Sequence, residues 1–151
     1  MPDPFEVLRA EAQTILHDQH NTLRDVVRGL DAEALNWQPT AGANSICVLV
    51  SHALDAERYL LSSSVDVPVE RDRESHFRAT TSGDAELLAL IDRIEAENDG
   101  YLSRLQAAHL AADVARPGRT HSGAWWLLHA IEHTREHVGQ ALLTRQLWET
   151  R

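Results

Sequence analysis

The sequence predicts an all-α protein, with residues 1–151 folded as one four-helix-bundle domain. Four long segments carry apolar residues at the spacing of an amphipathic helix. Loops that contain Pro, Gly or many polar residues separate these segments. No segment shows the convincing apolar–polar alternation of a half-buried strand. Four helices with one apolar stripe each can bury those stripes against one another, which favours a bundle.

The first two predicted helices both begin at recognisable capping residues. Asp3 precedes Pro4, so an acidic N-cap is followed by Pro at the first helical position. The apolar stripe of the first helix consists of Phe5, Leu8, Ala12, Ile15, Leu23, Val26 and Leu30. The second helix is predicted to start at Asn44 or Ser45 and to run to about residue 63. His52 lies in the middle of its apolar stripe, so we expect this imidazole to point into the core.

The third and fourth helices are delimited in the same way. Asp84 is the predicted N-cap of the third helix, which runs to about residue 107. Asn98 is a polar member of its stripe; it either makes a structural hydrogen bond, which we favour, or lines a pocket. Residues 64–82 form a long polar connection with the charged run ERDRE, and such loops are often lids or mobile segments. Pro117-Gly118 marks the last loop, and Ser122 is the predicted N-cap of the fourth helix.

Three histidines in the fourth helix, His129, His133 and His137, are spaced four residues apart and therefore lie on one helix face. His129 and His137 are about 12 Å apart along the axis, too far to share one ion. The helical wheel aims the pair His133/His137 into the protein better than His129. Together with His52, this pair supplies three imidazole nitrogens, and three protein ligands with an open position are typical of catalytic zinc. Imidazoles also suit nickel, copper and iron.

The composition excludes several classes of function. A net charge of −9 argues against nucleic-acid binding, which usually needs a basic face. No apolar run reaches the roughly 18–20 residues of a membrane span, and the N-terminus does not resemble a signal peptide. We therefore expect a cytoplasmic protein without a membrane partner. The single cysteine, Cys47, lies in an apolar run and is expected to be packed rather than reactive.

Two segments of the chain resemble the DinB/YfiT-like metal-dependent superfamily. Residues 35–57, LNWQPTAGANSICVLVSHALDAE, match the Trp, Pro, Gly-Asn-Ser-Ile and following His of that family. Residues 129–143, HAIEHTREHVGQALL, match its His-x-x-x-His-x-Gly-Gln ending. The three metal ligands of the family then fall on His52, His133 and His137, the same histidines that the helical wheel selects.

The resemblance implies an up-down-down-up bundle that forms a homodimer and holds a divalent metal, zinc or nickel, in an open pocket. Some relatives are thiol S-transferases that use bacillithiol, mycothiol or glutathione, and one group isomerises maleylpyruvate with mycothiol. The resemblance therefore implies a small-molecule electrophile as substrate and a low-molecular-weight thiol as co-substrate. Tyr59, Trp126 and His129 are the candidates to line the pocket, together with Asn98 if it does not make the structural hydrogen bond.

Three alternatives stay open at this point. The protein can be a non-catalytic metal- or ligand-binding stress-response protein on the same bundle. The stretch from His133 to His137 also reads H-x-x-E-H, the pattern of an inverted metalloprotease with Glu136 as general base, although the wheel places Glu136 on the polar face. Finally, the histidines can be structural only, in which case an apolar residue at position 52 would be tolerated.

Overall fold

The computed structural model describes residues 1–151 and confirms the all-α four-helix bundle. The bundle consists of four long helices: α1 Pro4–Val27, α3 Ile46–Ser64, α5 Asp84–Arg104 and α7 Gly123–Glu149. The connections contain three short helices: α2 Ala32–Asn36, α4 Arg73–His76 and α6 Ala107–Ala111. A hairpin of β1 Asp113–Arg116 and β2 Arg119–Ser122 leads directly into α7. None of the helices combines the length and the apolarity needed to cross a membrane.

Two apolar clusters, one at each end of the bundle, define the directions of the four long helices. The first cluster joins the last turns of α1 and α7 to the first turns of α3 and α5, and includes Val26, Val50, Ile91 and Val138. The second cluster joins the first turns of α1 and α7 to the last turns of α3 and α5, and includes Leu16, Leu61, Leu102 and Trp126. Helices α1 and α7 therefore run one way and α3 and α5 the other, which is the up-down-down-up order.

Three of the four expected helix caps are present. The side chains of Asp3, Ser45 and Ser122 accept hydrogen bonds from the backbone N–H groups of Phe5, Val48 and Trp125, respectively. The cap assignment is wrong for Asp84, because Gly83 occupies the N-cap position of α5. The Asp84 carboxylate instead accepts a 2.7 Å hydrogen bond from the backbone N–H of Gly29, just beyond α1.

The hairpin between α6 and α7 is a feature that the sequence did not predict. Each strand has four residues, and only Val114 is buried, so no apolar alternation marks either strand. The turn lies at Pro117-Gly118, with Gly118 at φ +81°, a conformation that favours glycine. The indole N–H of Trp126 donates to the carbonyl oxygens of Val114 and His121, both at 3.2 Å, and so ties both strands to α7.

Gly123, the first residue of α7, lies too close to α6 to carry a side chain. A Cβ atom there would stand 2.1 Å from the carbonyl oxygen of His109. We expect Gly123→Ala to lower the free energy of unfolding by about 1–3 kcal/mol, because α6 must move away. Urea denaturation followed by circular dichroism measures this loss. Gly139→Ala is the matched control on the same helix, since a Cβ there meets nothing within 4 Å. Equal midpoints for the two variants would contradict the close packing at Gly123.

A buried carboxylate, that of Glu57 in α3, connects the four long helices. Its Oε1 accepts hydrogen bonds from His20 Nε2 of α1 at 2.7 Å and from Asn98 Nδ2 of α5 at 2.6 Å. Its Oε2 accepts one from Thr134 Oγ1 of α7 at 2.8 Å. Asn98 therefore makes the structural hydrogen bond that its place in the apolar stripe of α5 favoured.

His20 carries the charge that balances this buried carboxylate. Its second ring nitrogen, Nδ1, lies 2.9 Å from Glu95 Oε2, so both nitrogens face carboxylates. Burial alone would lower the pKa of His20, but the hydrogen bonds and charges of Glu57 and Glu95 raise it above its ordinary value. Because both ring nitrogens then donate, His20 has a structural role as an imidazolium.

Candidate metal centre

His52, His133 and His137 converge where α3 crosses the antiparallel helix α7. One ring nitrogen from each of the three lies within 4.8 Å of the others. The Nε2 atoms of His133 and His137 are 3.3 Å apart, as expected for residues one helical turn apart. His52 reaches them from α3, with its ring centroid 5.3 Å from that of His133 and 4.9 Å from that of His137.

The local sequence of α7 directs this pair of histidines inward. The residues that α7 buries include Trp126, Ala130, Thr134, Val138 and Ala141. On a helical wheel, His133 and His137 lie at one edge of this buried arc and His129 lies further round. His52 is more deeply placed, with 5% of its surface exposed.

The hydrogen bonding of the three imidazoles suits a metal ion. Nδ1 of His52 and Nδ1 of His133 are both buried without a protein partner. His137 donates from Nδ1 to Gln140 Oε1 at 2.8 Å, so its Nε2 carries a lone pair, and this lone pair faces Nε2 of His133 at 3.3 Å. Buried polar groups are costly when they have no partner. Three neutral nitrogen donors match the ligand preferences of zinc, nickel and copper.

The electrostatic surroundings keep two of the histidines neutral. Burial, followed by the charges of the other histidines and of Arg71 and Arg73, lowers the pKa of His52 to about 3. Burial, followed by the charges of nearby histidines and of Arg71 and Arg73, lowers the pKa of His133 to about 4. Both imidazoles are therefore unprotonated at pH 7, the form that binds a metal ion.

A cavity of about 210 Å³ opens beside His52 and His133, whereas His137 is not part of its wall. Its wall is formed by His52, Ala56, Tyr59, Leu60, Arg71, Arg73, Arg119, His129 and His133. The structure thus places Tyr59 and His129 in the wall of this cavity. The wall contains no carboxylate, and three of its nine residues are arginines that we did not select from the sequence.

Asn98 and Trp126 lie outside this cavity. The pocket assignment of Trp126 was therefore wrong, and Asn98 has the structural role that was favoured for it over the pocket. The amide of Asn98 is 2% exposed and is bound to Glu57 in the bundle core. The indole of Trp126 is fully buried, and its N–H is bound to the hairpin. Neither residue is part of the cavity wall.

Glu136 does not provide the general base of an inverted metalloprotease. It is exposed to solvent on α7 and accepts a hydrogen bond from Gln140 Nε2 at 3.3 Å. It is not part of the cavity wall. The H-x-x-E-H pattern therefore consists of two candidate metal ligands one helical turn apart, with a surface glutamate between them.

Comparison with solved structures shows the same fold in three bacterial proteins. A conserved protein from Enterococcus faecalis aligns with a TM-score of 0.77 at 17% identity, over 94% of this chain and 97% of the other. A DinB-like protein from Bacillus cereus aligns with a TM-score of 0.68 at 14% identity, over 85% and 84%. YfiT from Bacillus subtilis also has a TM-score of 0.68 at 14% identity, over 91% and 86%, and is described as a probable metal-dependent hydrolase with an unusual four-helix bundle topology.

Comparison of the sequence with protein families identifies the relationship directly. None of the functionally curated proteins with which the chain was compared matches it significantly. The sequence model of the DinB superfamily matches residues 15–141, well over half of the chain and including all three converging histidines. The chain therefore belongs to the DinB superfamily.

Proposed function

We propose that this protein is a divalent-metal-dependent enzyme that transfers a low-molecular-weight thiol onto an electrophilic small molecule. The observation that carries the proposal is the convergence of His52, His133 and His137 at the side of an open cavity. Three protein ligands with room for a further one are typical of catalytic rather than structural metal sites. Zinc or nickel is the metal that we propose for this set of imidazoles.

A divalent ion held by His52, His133 and His137 would supply positive charge that favours ionisation of a nearby thiol. A free thiol has a pKa of about 8.5, so only a modest shift yields the nucleophilic thiolate at neutral pH. The guanidinium groups of Arg71 and Arg73 add to the positive potential of the cavity wall. The sulfur then forms a bond to the electrophilic carbon, the leaving group departs with its bonding electrons, and the thiol proton passes to solvent.

Hydrolysis is the second candidate reaction, because the structurally similar YfiT is described as a probable metal-dependent hydrolase. Hydrolysis requires activation of water, whose pKa is far higher than that of a thiol until a metal ion lowers it. Metal-dependent hydrolases of the zinc protease type use a glutamate as general base. The wall of this cavity has no carboxylate, which supports thiol transfer over hydrolysis.

The homodimer, the cytoplasmic location and a non-catalytic stress role stay predictions.

The proposal is tested with untagged protein loaded with zinc or nickel. We expect it to accelerate the reaction of 1-chloro-2,4-dinitrobenzene with at least one of bacillithiol, mycothiol and glutathione, measured as thioether absorbance. His52→Ala should abolish the acceleration. His17→Ala is the matched control, because His17 lies on α1 and contacts Asp99, away from the cavity.

Other outcomes select the alternatives. Metal-dependent cleavage of p-nitrophenyl acetate without any thiol, and no thiol transfer, would support a hydrolase. A tightly bound metal without turnover of any thiol or ester would support the non-catalytic alternative.

A further inference from the structure

Three arginines converge in the wall of the candidate metal cavity. Arg71 and Arg73 come from the connection between α3 and α5, and Arg119 is the first residue of β2. The chain as a whole carries a net charge of −9, so this concentration of positive charge runs against its overall balance. Clefts lined by one sign of charge attract ligands of the opposite sign.

The three guanidinium groups have hydrogen-bonding capacity that the protein does not use. Arg71 donates from Nε to Asp55 Oδ2 at 2.5 Å, but its Nη2 is buried without a partner. Arg73 lies over the ring of Phe77, and Arg119 lies about 5.9 Å from the rings of Trp125 and Trp126. Neither makes a hydrogen bond or ion pair within the protein. Free guanidinium donors suit the two oxygens of a carboxylate or phosphate.

A second cavity of about 430 Å³ continues outward from the arginines. It shares Tyr59, Arg71, Arg73 and Arg119 with the cavity beside the histidines. It adds Arg116, which is held by Ser63 Oγ and Asp66 Oδ1 and whose Nη2 is also buried without a partner. We refer to the two cavities together as the groove: the histidines line the first cavity only, and Arg71, Arg73 and Arg119 line both.

A divalent ion bound at the histidines would add to the positive charge of the arginines. Three neutral imidazoles leave the charge of a divalent ion uncompensated, and three arginines add to it. Asp55 is the only acidic side chain that pairs with one of these arginines. Charges in a partly buried site interact strongly, so a negatively charged ligand is favoured beside the ion.

We propose that this groove binds a small organic anion whose carboxylate or phosphate group is held by Arg71, Arg73 and Arg119. The reacting group of the same molecule then lies at the histidines. The inference rests on the proposed function, which defines the group that reacts near the histidines. It adds that either the substrate or the thiol co-substrate carries a carboxylate or phosphate group.

Isothermal titration calorimetry with the zinc-loaded, untagged protein at low ionic strength tests the anion subsite. We use succinate, inorganic phosphate and, as a neutral control, succinamide. We expect succinate or phosphate to bind, the neutral diamide not to bind, and the affinity to fall as salt is added. Arg119→Gln and Arg73→Gln should each weaken binding by about tenfold or more, because each removes a charged donor. Whichever anion binds more tightly identifies the oxyanion.

Arg104→Gln is the matched control. Arg104 is exposed at the end of α5, outside both cavities, and the substitution removes the same charge. Equal weakening by Arg104→Gln and Arg119→Gln, or no binding of either anion to the wild type, would overturn the subsite.

The two proposals fail separately. Thiol transfer by a wild type that binds neither anion would overturn the anion subsite and leave the proposed function in place. Succinate or phosphate binding by a protein that transfers no thiol would support the subsite and remove the thiol transferase. Binding that persists in metal-free His52→Ala would show that the arginines hold the anion independently of the ion.

Discussion

His52→Ala is expected to leave the protein without its metal ion. Loss of an outer-shell partner typically weakens metal binding about 10- to 100-fold, and removal of one of three direct ligands should cost more than that. Mass spectrometry of untagged protein, purified without a metal-affinity column, should find nearly one zinc or nickel per wild-type chain and almost none in the variant. His17→Ala is the control and should keep the metal.

Thermal unfolding provides an independent measure of the same change. A ligand that binds only the folded state stabilises it in proportion to the logarithm of its concentration over its Kd. Added zinc or nickel should therefore raise the Tm of the wild type and of His17→Ala but not that of His52→Ala. A full metal content in His52→Ala would contradict the three-histidine centre. An equal Tm response of all three proteins would contradict it as well.

The second large effect is expected for Glu57→Ala. The substitution leaves the charged His20, Asn98 and Thr134 in the core without their shared partner. Removal of one member of a buried ion pair typically costs about 3–5 kcal/mol. A loss of this size is a large part of the stability of an ordinary domain. Urea denaturation monitored by circular dichroism measures it.

Glu11→Ala is the control for Glu57→Ala, because Glu11 is exposed on α1 and makes no side-chain hydrogen bond. Surface substitutions of this kind usually change stability by less than about 0.5 kcal/mol. If both variants unfold at the urea concentration of the wild type, the carboxylate of Glu57 does not hold the four helices together. The wild-type value is measured without added metal, so that metal binding does not enter the comparison.

The bundle could be predicted from the sequence because its helices are long and each carries one apolar stripe. The N-caps at Asp3, Ser45 and Ser122 were found because side-chain oxygens before a helical stripe have a specific local role. The convergence of His52 with His133 and His137 followed from helical spacing together with the family resemblance. Periodicity alone shows that a histidine points inward, but not which histidine of another helix it meets.

Other features were missed because their signals depend on tertiary contacts. The hairpin was missed because its strands are short and mostly exposed, although Pro117-Gly118 was a turn signal. Arg71 and Arg73 were read as part of a charged loop, since the sequence does not show where a loop folds back. Glu57 could have been noticed because it lies three or four residues from Ala53, Leu54, Leu60 and Leu61, on the apolar face of α3, where full burial demands a partner.

The anchoring of the hairpin has an evolutionary consequence. Trp126 fixes the ends of the hairpin strands to α7, while Arg116, Pro117, Gly118 and Arg119 project beyond this attachment. Arg119 makes no side-chain hydrogen bond to the bundle and can be exchanged at little cost to it, whereas Arg116 is held by Ser63 and Asp66. The histidines are confined by the helices that carry them. In evolution, a substitution at Arg119 could thus change the charge of the cavity wall while the three histidines keep their positions.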